Sequence, residues 1–198
     1  MTRFYLIRHG HTAAVDHYIA GRAPGTDLTD EGQRQARELA VRMRHVPLIA
    51  VLSSPLERTR QTAEPLARDH GLDVIVVPEL NEIDFGAWSG STFTALDEKD
   101  AWRRYNIARA ITMPDGGELL VEVQARAVRT LLTLRDRHAG GHVAVVSHGD
   151  VIRALLLYFL GMPVDFVHRI EISPARVSIV DLSDESVRLL LMNGDTVP

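Results

Sequence analysis

The chain has no cysteine among its 198 residues, which excludes disulfide bonds, thiolate metal sites and a cysteine nucleophile. Long apolar runs are also missing, because the most apolar one, residues 154–160, is far shorter than the roughly 20 residues that span a bilayer. No basic segment followed by a long apolar one begins the chain, as a secretory signal would. Lys and Arg number 22 against 26 Asp and Glu, and the two signs are interspersed. We therefore expect a cytoplasmic protein that binds neither membranes nor nucleic acids.

What remains is the composition of an ordinary globular protein, 45% hydrophobic and 24% charged. The length predicts one domain over residues 1–198. Short buried strands alternate with helical patterns, which predicts a largely parallel sheet covered by helices on both faces. The predicted strands are residues 4–7, 48–52, 73–77, 142–146, 176–182 and 187–192, the last two as a hairpin.

Capping residues and apolar spacing predict the helices. Thr29 or Asp30 is expected to cap the first helix. Ser54 is expected to cap the second, with Pro55 as its first residue, and Pro65 should kink it or end it before Gly71. The remaining predicted helices are residues 93–107, 120–134 and 151–160.

The stretch 78–117 is irregular and mixes glycine, proline, tryptophan and charged residues. It is predicted to form a lid over the strand ends and, together with the loop 13–27, to determine specificity. The turn Gly116-Gly117-Glu118 at its end is expected to cap the long helix that follows.

Reactive side chains follow the first strand immediately, in the sequence Arg8-His9-Gly10. The carboxyl ends of strands are where open α/β sheets place their ligand crevices. Arginine clamps oxyanions, histidine carries covalent or proton chemistry near neutral pH, and glycine allows a ligand close to the backbone. This motif is short, so its interpretation depends on partners elsewhere in the chain.

Three later segments supply such partners. Arg58 lies one turn into the helix after the second strand, and a helix N-terminus favours an anion. Glu82 and Asp84 lie in the irregular stretch, and the position of the motif's Phe-Gly and Trp favours Glu82 as the acid. His148 follows a later strand in the sequence Ser-His-Gly, which repeats the first theme.

Together these residue types fit one reaction, phosphoryl transfer through histidine. Two arginines and a second histidine can hold the three oxygens of a phosphoryl group while one histidine attacks phosphorus. A carboxylic acid donates the proton that the leaving alkoxide needs. A nucleophilic histidine needs no metal or cofactor, provided that a backbone carbonyl holds its other ring nitrogen.

The four motifs, in this order, resemble those of the histidine phosphatase superfamily, in its phosphoglycerate-mutase-like branch. They run from Arg8 to Gly149: Arg-His-Gly, then Ser-x-x-x-Arg-x-x-x-Thr-Ala, Glu-x-x-x-Gly-x-Trp and Ser-His-Gly. The resemblance implies a three-layer α/β/α sandwich with a mostly parallel central sheet. It implies a phosphohistidine on His9 and Glu82 as general acid and later base.

The same resemblance implies that a phosphate pocket is formed by Arg8, Arg58 and His148. Further candidates for contact with the substrate are His11, Thr12 and Gly21. Neither a cofactor nor a metal is expected, since two arginines in one pocket would repel a cation.

Departures from the family pattern concern His11, where most members have glutamate, and Val15, where many have an asparagine that touches the phosphate. Valine cannot donate a hydrogen bond. The segment after Glu82 is also shorter than in the mutases, which must shield a phosphoenzyme from water. A phosphatase is therefore predicted rather than a mutase.

The resulting prediction is a phosphomonoesterase that acts on a small phosphorylated metabolite. Two alternatives stay open: a bisphosphoglycerate-dependent phosphoglycerate mutase, and a non-catalytic relative that only binds phospho-ligands. Sugar phosphates, nucleotide-like phosphates, a cobalamin-pathway phosphate and phosphoprotein are all open as substrates. A homodimer that pairs along the strand at residues 187–192 is also open.

Overall fold

The computed structural model describes residues 1–197, and a six-stranded sheet forms its centre. The strands are β1 (Thr2–Arg8), β2 (Leu48–Ser53), β3 (Val74–Val76), β4 (His142–Ser147), β5 (Val177–Leu182) and β6 (Val187–Gly194). Their order is β3-β2-β4-β1-β5-β6. The pairs among β3, β2, β4 and β1 are parallel, whereas β5 is antiparallel to both β1 and β6. The mostly parallel sheet and the final hairpin are therefore confirmed.

Helices cover both faces of this sheet. They are α1 (Asp30–Met43), α2 (Glu57–Asp69), α3 (Phe93–Asp97), α4 (Asp100–Ile107), α5 (Leu120–Arg137) and α6 (Gly149–Phe159). Side chains alternate along β1, so that Phe4 and Leu6 pack with α5 and α6, whereas Tyr5 and Ile7 pack with α1 and α2. This alternation confirms the three-layer sandwich.

Of two expectations about α2, one is wrong and one is confirmed. The helix begins at Glu57, with Leu56 rather than Ser54 at the N-cap, because the Ser54 hydroxyl is engaged with a histidine instead. The helix includes Pro65 and ends at Asp69, before Gly71 as expected. Proline lacks only its own N–H, and the buried residues on either side of it hold the helix against the sheet.

The irregular stretch contains short helices instead of one helix over residues 93–107. The chain breaks at Lys99, whose backbone is extended, and α4 then begins at Asp100. An aromatic cluster holds this stretch together: the rings of Trp88 and Trp102 meet edge to face at 5.4 Å, and Trp102 stacks on Tyr105 at 5.7 Å. Three-residue 3-10 helices at Pro78–Leu80 and Gly86–Trp88 precede it.

The predicted caps agree with the structure at one helix and differ at another. Thr29 caps α1, accepting a hydrogen bond from the Gly32 N–H at 3.2 Å. Glu118 does not cap α5, since Leu119 is the N-cap and the Glu122 carboxylate accepts its N–H at 2.9 Å. Within residues 1–197 no helix is both long enough and apolar enough to cross a membrane.

Candidate active site

The carboxyl ends of three parallel strands meet at one edge of the sheet. Arg8 of β1 lies beside Ser147 of β4, and Ser53 of β2 lies beside Val146. A cavity of about 600 Å³ opens at this edge. Among the candidates from the sequence, its lining contains Arg8, His9, Thr12, Gly21, Arg58 and Glu82.

His9 is held in one tautomer by the backbone. Its Nδ1 lies 2.7 Å from the Gly10 carbonyl oxygen, which can only accept, so Nδ1 carries the proton and Nε2 carries the lone pair. Burial, with the nearby guanidiniums of Arg58 and Arg8, lowers the pKa of His9 well below its ordinary value. The ring is therefore neutral near pH 7 and has a free nitrogen lone pair.

Two buried guanidiniums face the same cavity, and each has an unused donor. Arg8 donates from Nη1 to the Ile172 carbonyl at 2.7 Å, but its buried Nε has no partner among the described residues. Arg58 donates from Nη2 to the Gly21 carbonyl at 2.9 Å, and its buried Nη1 is likewise unpartnered in residues 1–197. A buried donor left unpaired costs about 1–3 kcal/mol, which an anion in the cavity would offset.

His148 lies behind the cavity lining and has no exposed surface. Its Nδ1 is 3.3 Å from Arg58 Nη2, which can only donate, so Nε2 carries the proton and donates to the Ser54 hydroxyl at 2.7 Å. Burial and the Arg58 charge lower the pKa of His148 well below its ordinary value. The ring also packs edge to face with His9 at 5.4 Å. Its contacts position Arg58 from behind.

Ser54 was missed as a partner of this histidine, although it stands in the second motif. The proline that follows it suggested a helix cap, and nothing local signals a histidine 94 residues away. Ser54 is fully buried and outside the cavity lining, so it cannot meet a substrate there as a nucleophile.

Glu82 presents a carboxyl group that holds its proton to an unusually high pH. One oxygen accepts the Ile83 N–H at 2.9 Å, and the other lies 3.8 Å from Nδ1 of His148. Burial, reinforced by the negative charge of Asp150 and opposed by Arg58, raises the pKa of Glu82 to about 7. A carboxyl group with such a pKa can both donate and accept a proton near neutral pH.

Asp150, at the start of α6, forms an ion pair that was not predicted. It accepts from Arg109 at 2.7 Å and from Arg153 at 3.1 Å. Burial alone would raise its pKa, but these two guanidiniums lower the pKa of Asp150 to about 2. All three residues line the cavity. Asp150 directly follows the last motif, whereas Arg109 comes from the irregular stretch and carries no local signal.

His11 does not lie in the cavity lining, which corrects its place among the substrate-binding candidates. Its Nδ1 is 2.9 Å from the Thr29 hydroxyl, and its backbone N–H donates to Gln35 at 2.8 Å. The side chain turns towards the N-terminus of α1, where the Thr29 hydroxyl is its hydrogen-bond partner, whereas Gln35 binds the backbone of His11. The structure therefore gives His11 a structural position.

The other candidates divide clearly between cavity and surface. Thr12, Gly21 and Val15 all line the cavity. Glu82 does so as well, whereas Asp84 lies outside it and accepts a hydrogen bond from the Gly86 N–H at 2.9 Å. Across residues 1–197 no group of three histidine, aspartate or glutamate side chains is placed to hold a metal ion.

Comparison with known proteins gives a match over almost the whole chain. A family model described as the histidine phosphatase superfamily (branch 1) matches residues 4–195. The chain belongs to the histidine phosphatase superfamily. Relatives of this histidine phosphatase include named phosphatases and a mutase, and the predicted family and enzyme class are confirmed.

Two curated relatives and one solved structure illustrate the similarity. "Probable phosphoglycerate mutase GpmB" of Cronobacter sakazakii is 33% identical over 187 residues, covering 91% of this chain and 85% of that protein. The adenosylcobalamin/alpha-ribazole phosphatase of Escherichia coli K12 is 30% identical over 205 residues, covering 98% and 97%. The structure of Bacillus stearothermophilus YhfR has a TM-score of 0.92 and 28% identity, and covers 100% of this histidine phosphatase and 98% of its own chain.

Proposed function

We propose that this histidine phosphatase hydrolyses the phosphomonoester of a small metabolite through a phosphohistidine on His9. One observation carries the proposal: a neutral His9, with its proton held on Nδ1, stands between two guanidiniums that each keep an unused buried donor. A tetrahedral dianion supplies acceptors for both donors and an electrophilic centre for Nε2.

In the first step, the Nε2 lone pair of His9 forms a bond to phosphorus as the bond to the leaving oxygen breaks. Arg8 and Arg58 stabilise the charge on the phosphoryl oxygens. Glu82, protonated below a pH of about 7, gives its proton to the leaving oxygen, so that an alcohol departs. The proton stays on Nδ1 of His9 throughout and remains hydrogen-bonded to the Gly10 carbonyl oxygen. This hydrogen bond stabilises the positive charge of the phosphohistidine ring.

In the second step, the carboxylate of Glu82 takes a proton from water while the water oxygen attacks phosphorus. The bond between phosphorus and His9 Nε2 breaks, inorganic phosphate leaves, and Glu82 is protonated again. His148 supports both steps through Arg58, whose Nη2 lies 3.3 Å from its Nδ1.

Trapping of the phosphoenzyme tests this mechanism. Rapid quench without acid, using substrate labelled in its phosphate, should leave label on the wild-type protein and none on His9→Ala, which should be inactive but folded. His11→Ala is the matched control, because His11 lies two residues away and outside the cavity lining, and it should still be labelled. Turnover by His9→Ala at the wild-type rate would refute the proposal.

The dependence on the leaving group tests the role of Glu82. Glu82→Gln should lower kcat/KM, which reports phosphoenzyme formation and not its later hydrolysis, about 100-fold for alkyl phosphates, because an alkoxide needs a proton to leave. Nitrophenyl phosphate should be affected much less, since nitrophenolate leaves unprotonated. Equal slowing of both substrates would remove Glu82 from the acid role.

Phosphoglycerate mutase activity is a second candidate, and the relative from Cronobacter sakazakii is the observation that favours it. Interconversion of phosphoglycerates, assayed with and without a bisphosphate primer, distinguishes it from hydrolysis. Hydrolysis of nitrophenyl phosphate that disappears in His9→Ala would exclude the non-catalytic alternative.

Several smaller proposals accompany this one. Activity should persist in a chelator, since the proposed chemistry needs no metal or other cofactor. Residues 1–198 should act as one domain, with the stretch 78–117 as its lid. A homodimer would pair along the edge strand β6, which sedimentation would detect. The cytoplasmic location stays a prediction.

A further inference from the structure

Three charged side chains from separate parts of the chain converge on the backbone of Glu82. Arg22, from the loop 13–27, donates from Nε to the Glu82 carbonyl oxygen at 2.8 Å, and Arg126 of α5 donates to the same oxygen at 3.1 Å. The Glu118 carboxylate joins the two, accepting from Arg22 at 2.8 Å and from Arg126 at 2.9 Å. The carbonyl of the proposed acid is thus held by two guanidiniums that share the Glu118 carboxylate, and Arg22 also lies 3.6 Å from the Asp84 carboxylate.

The same loop also reaches the proposed phosphate clamp. The Gly21 carbonyl accepts the Nη2 donor of Arg58 at 2.9 Å, and the next residue, Arg22, contacts Glu82. Gly21 and Arg22 therefore link Arg58, of the proposed phosphate site, to Glu82, the proposed proton donor. The geometry between these two groups depends on how firmly Arg22 is held, and Glu118 is its ion-pair partner at 2.8 Å.

None of the three charged residues lies in the cavity lining, so none is placed to touch a substrate. Glu118 and Arg126 are only 17% and 16% exposed, and their pairing is therefore weakly screened by solvent. Glu118 also binds the adjoining backbone, donating its own N–H to the Asp84 carbonyl at 2.9 Å. Removal of its charge would take away the carboxylate between the two guanidiniums, so that Arg22 would keep only Asp84, 3.6 Å away, as an ion-pair partner, and Arg126 would lose its ion pair with Glu118.

We propose that Glu118 is a positioning residue, which through Arg22 and Arg126 holds the Glu82 carboxyl group at the distance from Arg58 that proton transfer to the leaving group requires. This inference rests on the acid role given to Glu82 above. Displacement of a reacting group by about 1 Å can reduce a rate about 100-fold. The rate should therefore fall only for substrates whose leaving group must be protonated.

Glu118→Gln tests this directly, because the amide keeps the shape and removes the charge. The value of kcat/KM for glycerol 2-phosphate should fall about 10-fold or more, whereas that for nitrophenyl phosphate should change less than about 3-fold. Glu122→Gln is the matched control: it disturbs a carboxylate four residues away that only caps α5, and should leave the ratio of the two substrates unchanged.

Arg22→Gln provides a second variant that does not depend on the folding of Glu118→Gln. Arg22 is a loop residue about one-third exposed, and its loss should change the substrate ratio in the same direction. An unchanged ratio in Arg22→Gln, or in a folded Glu118→Gln, would overturn the proposal.

A double-mutant cycle separates this proposal from the one on which it rests. If Glu118 acts through Glu82, adding Glu118→Gln to Glu82→Gln should cause little further loss with glycerol 2-phosphate. Full additivity would refute the positioning role while leaving the acid role intact. If Glu82→Gln alone lowers kcat/KM equally for glycerol 2-phosphate and nitrophenyl phosphate, the acid role of Glu82 itself is refuted.

Discussion

Glu82→Gln should change the stability of the protein in a manner that depends on pH. The folded state raises the pKa of this carboxyl group from an ordinary value of 4.5 to about 7, chiefly because the group is buried. Between these two values the unfolded chain ionises and the folded chain does not, so the wild type loses stability as the pH rises. Glutamine does not titrate and escapes this loss.

The size of the effect follows from the two pKa values. A difference of one in pKa corresponds to about 1.4 kcal/mol, so the full cost to the wild type above pH 7 is about 3 kcal/mol. At pH 5 most of this cost has not yet developed. The free energy of unfolding of Glu82→Gln, relative to that of the wild type, should therefore be about 2–3 kcal/mol higher at pH 8 than at pH 5.

Urea unfolding of both proteins at the two pH values measures this difference. Histidines that titrate in the unfolded chain cancel, because both proteins contain them. Glu64→Gln, at an exposed position without a hydrogen bond in the described structure, controls for the loss of a carboxylate. The same difference at pH 5 and pH 8 would refute the reasoning. In kinetics, kcat/KM for an alkyl phosphate should fall as the pH rises above about 7, as Glu82 loses its proton.

Other variants probe the packing around the site. Arg109→Met should cost about 3 kcal/mol, because the buried Asp150 would keep only its contact with Arg153 at 3.1 Å, and Asp150→Asn in the same chain should recover part of this cost; no recovery in urea unfolding would contradict the ion-pair account. Pro65→Ala should raise stability by about 1–3 kcal/mol, because it restores a helical N–H, and a lower melting temperature would argue otherwise. Gly32→Ala should cost about 1–3 kcal/mol, since its methyl group would overlap the His11 carbonyl oxygen; unaltered stability would show that α1 can shift.

The convergence of the site could be predicted from the sequence. His9 and His148 each follow a buried strand, and the carboxyl ends of parallel strands meet at one edge, so distant motifs were expected to come together. Arg58 could be placed near that edge because it lies one turn into the helix after the second strand, whereas the placement of Glu82 needed the family resemblance. The register of β1 and β4 and the cavity lining agree with this expectation.

The individual contacts could not be predicted, since they join residues far apart in the chain. Ser54 looks like a helix cap until the partner 94 residues away is known. His11 looks like a pocket residue, yet its nearest hydroxyl belongs to Thr29. A side chain chooses among all the groups within its reach, and local sequence describes only a few of them.

By itself, the sequence determined the order of strands and helices, the mostly parallel sheet and the residues brought to its edge, because these depend on apolar periodicity and strand ends. Only the tertiary structure decided which tautomer His9 adopts, that Glu82 is buried enough to raise its pKa to about 7, and that Arg22 and Arg126 bind the Glu82 carbonyl. Burial and charge at these atoms are set by neighbours that the fold, and not the chain order, places beside them.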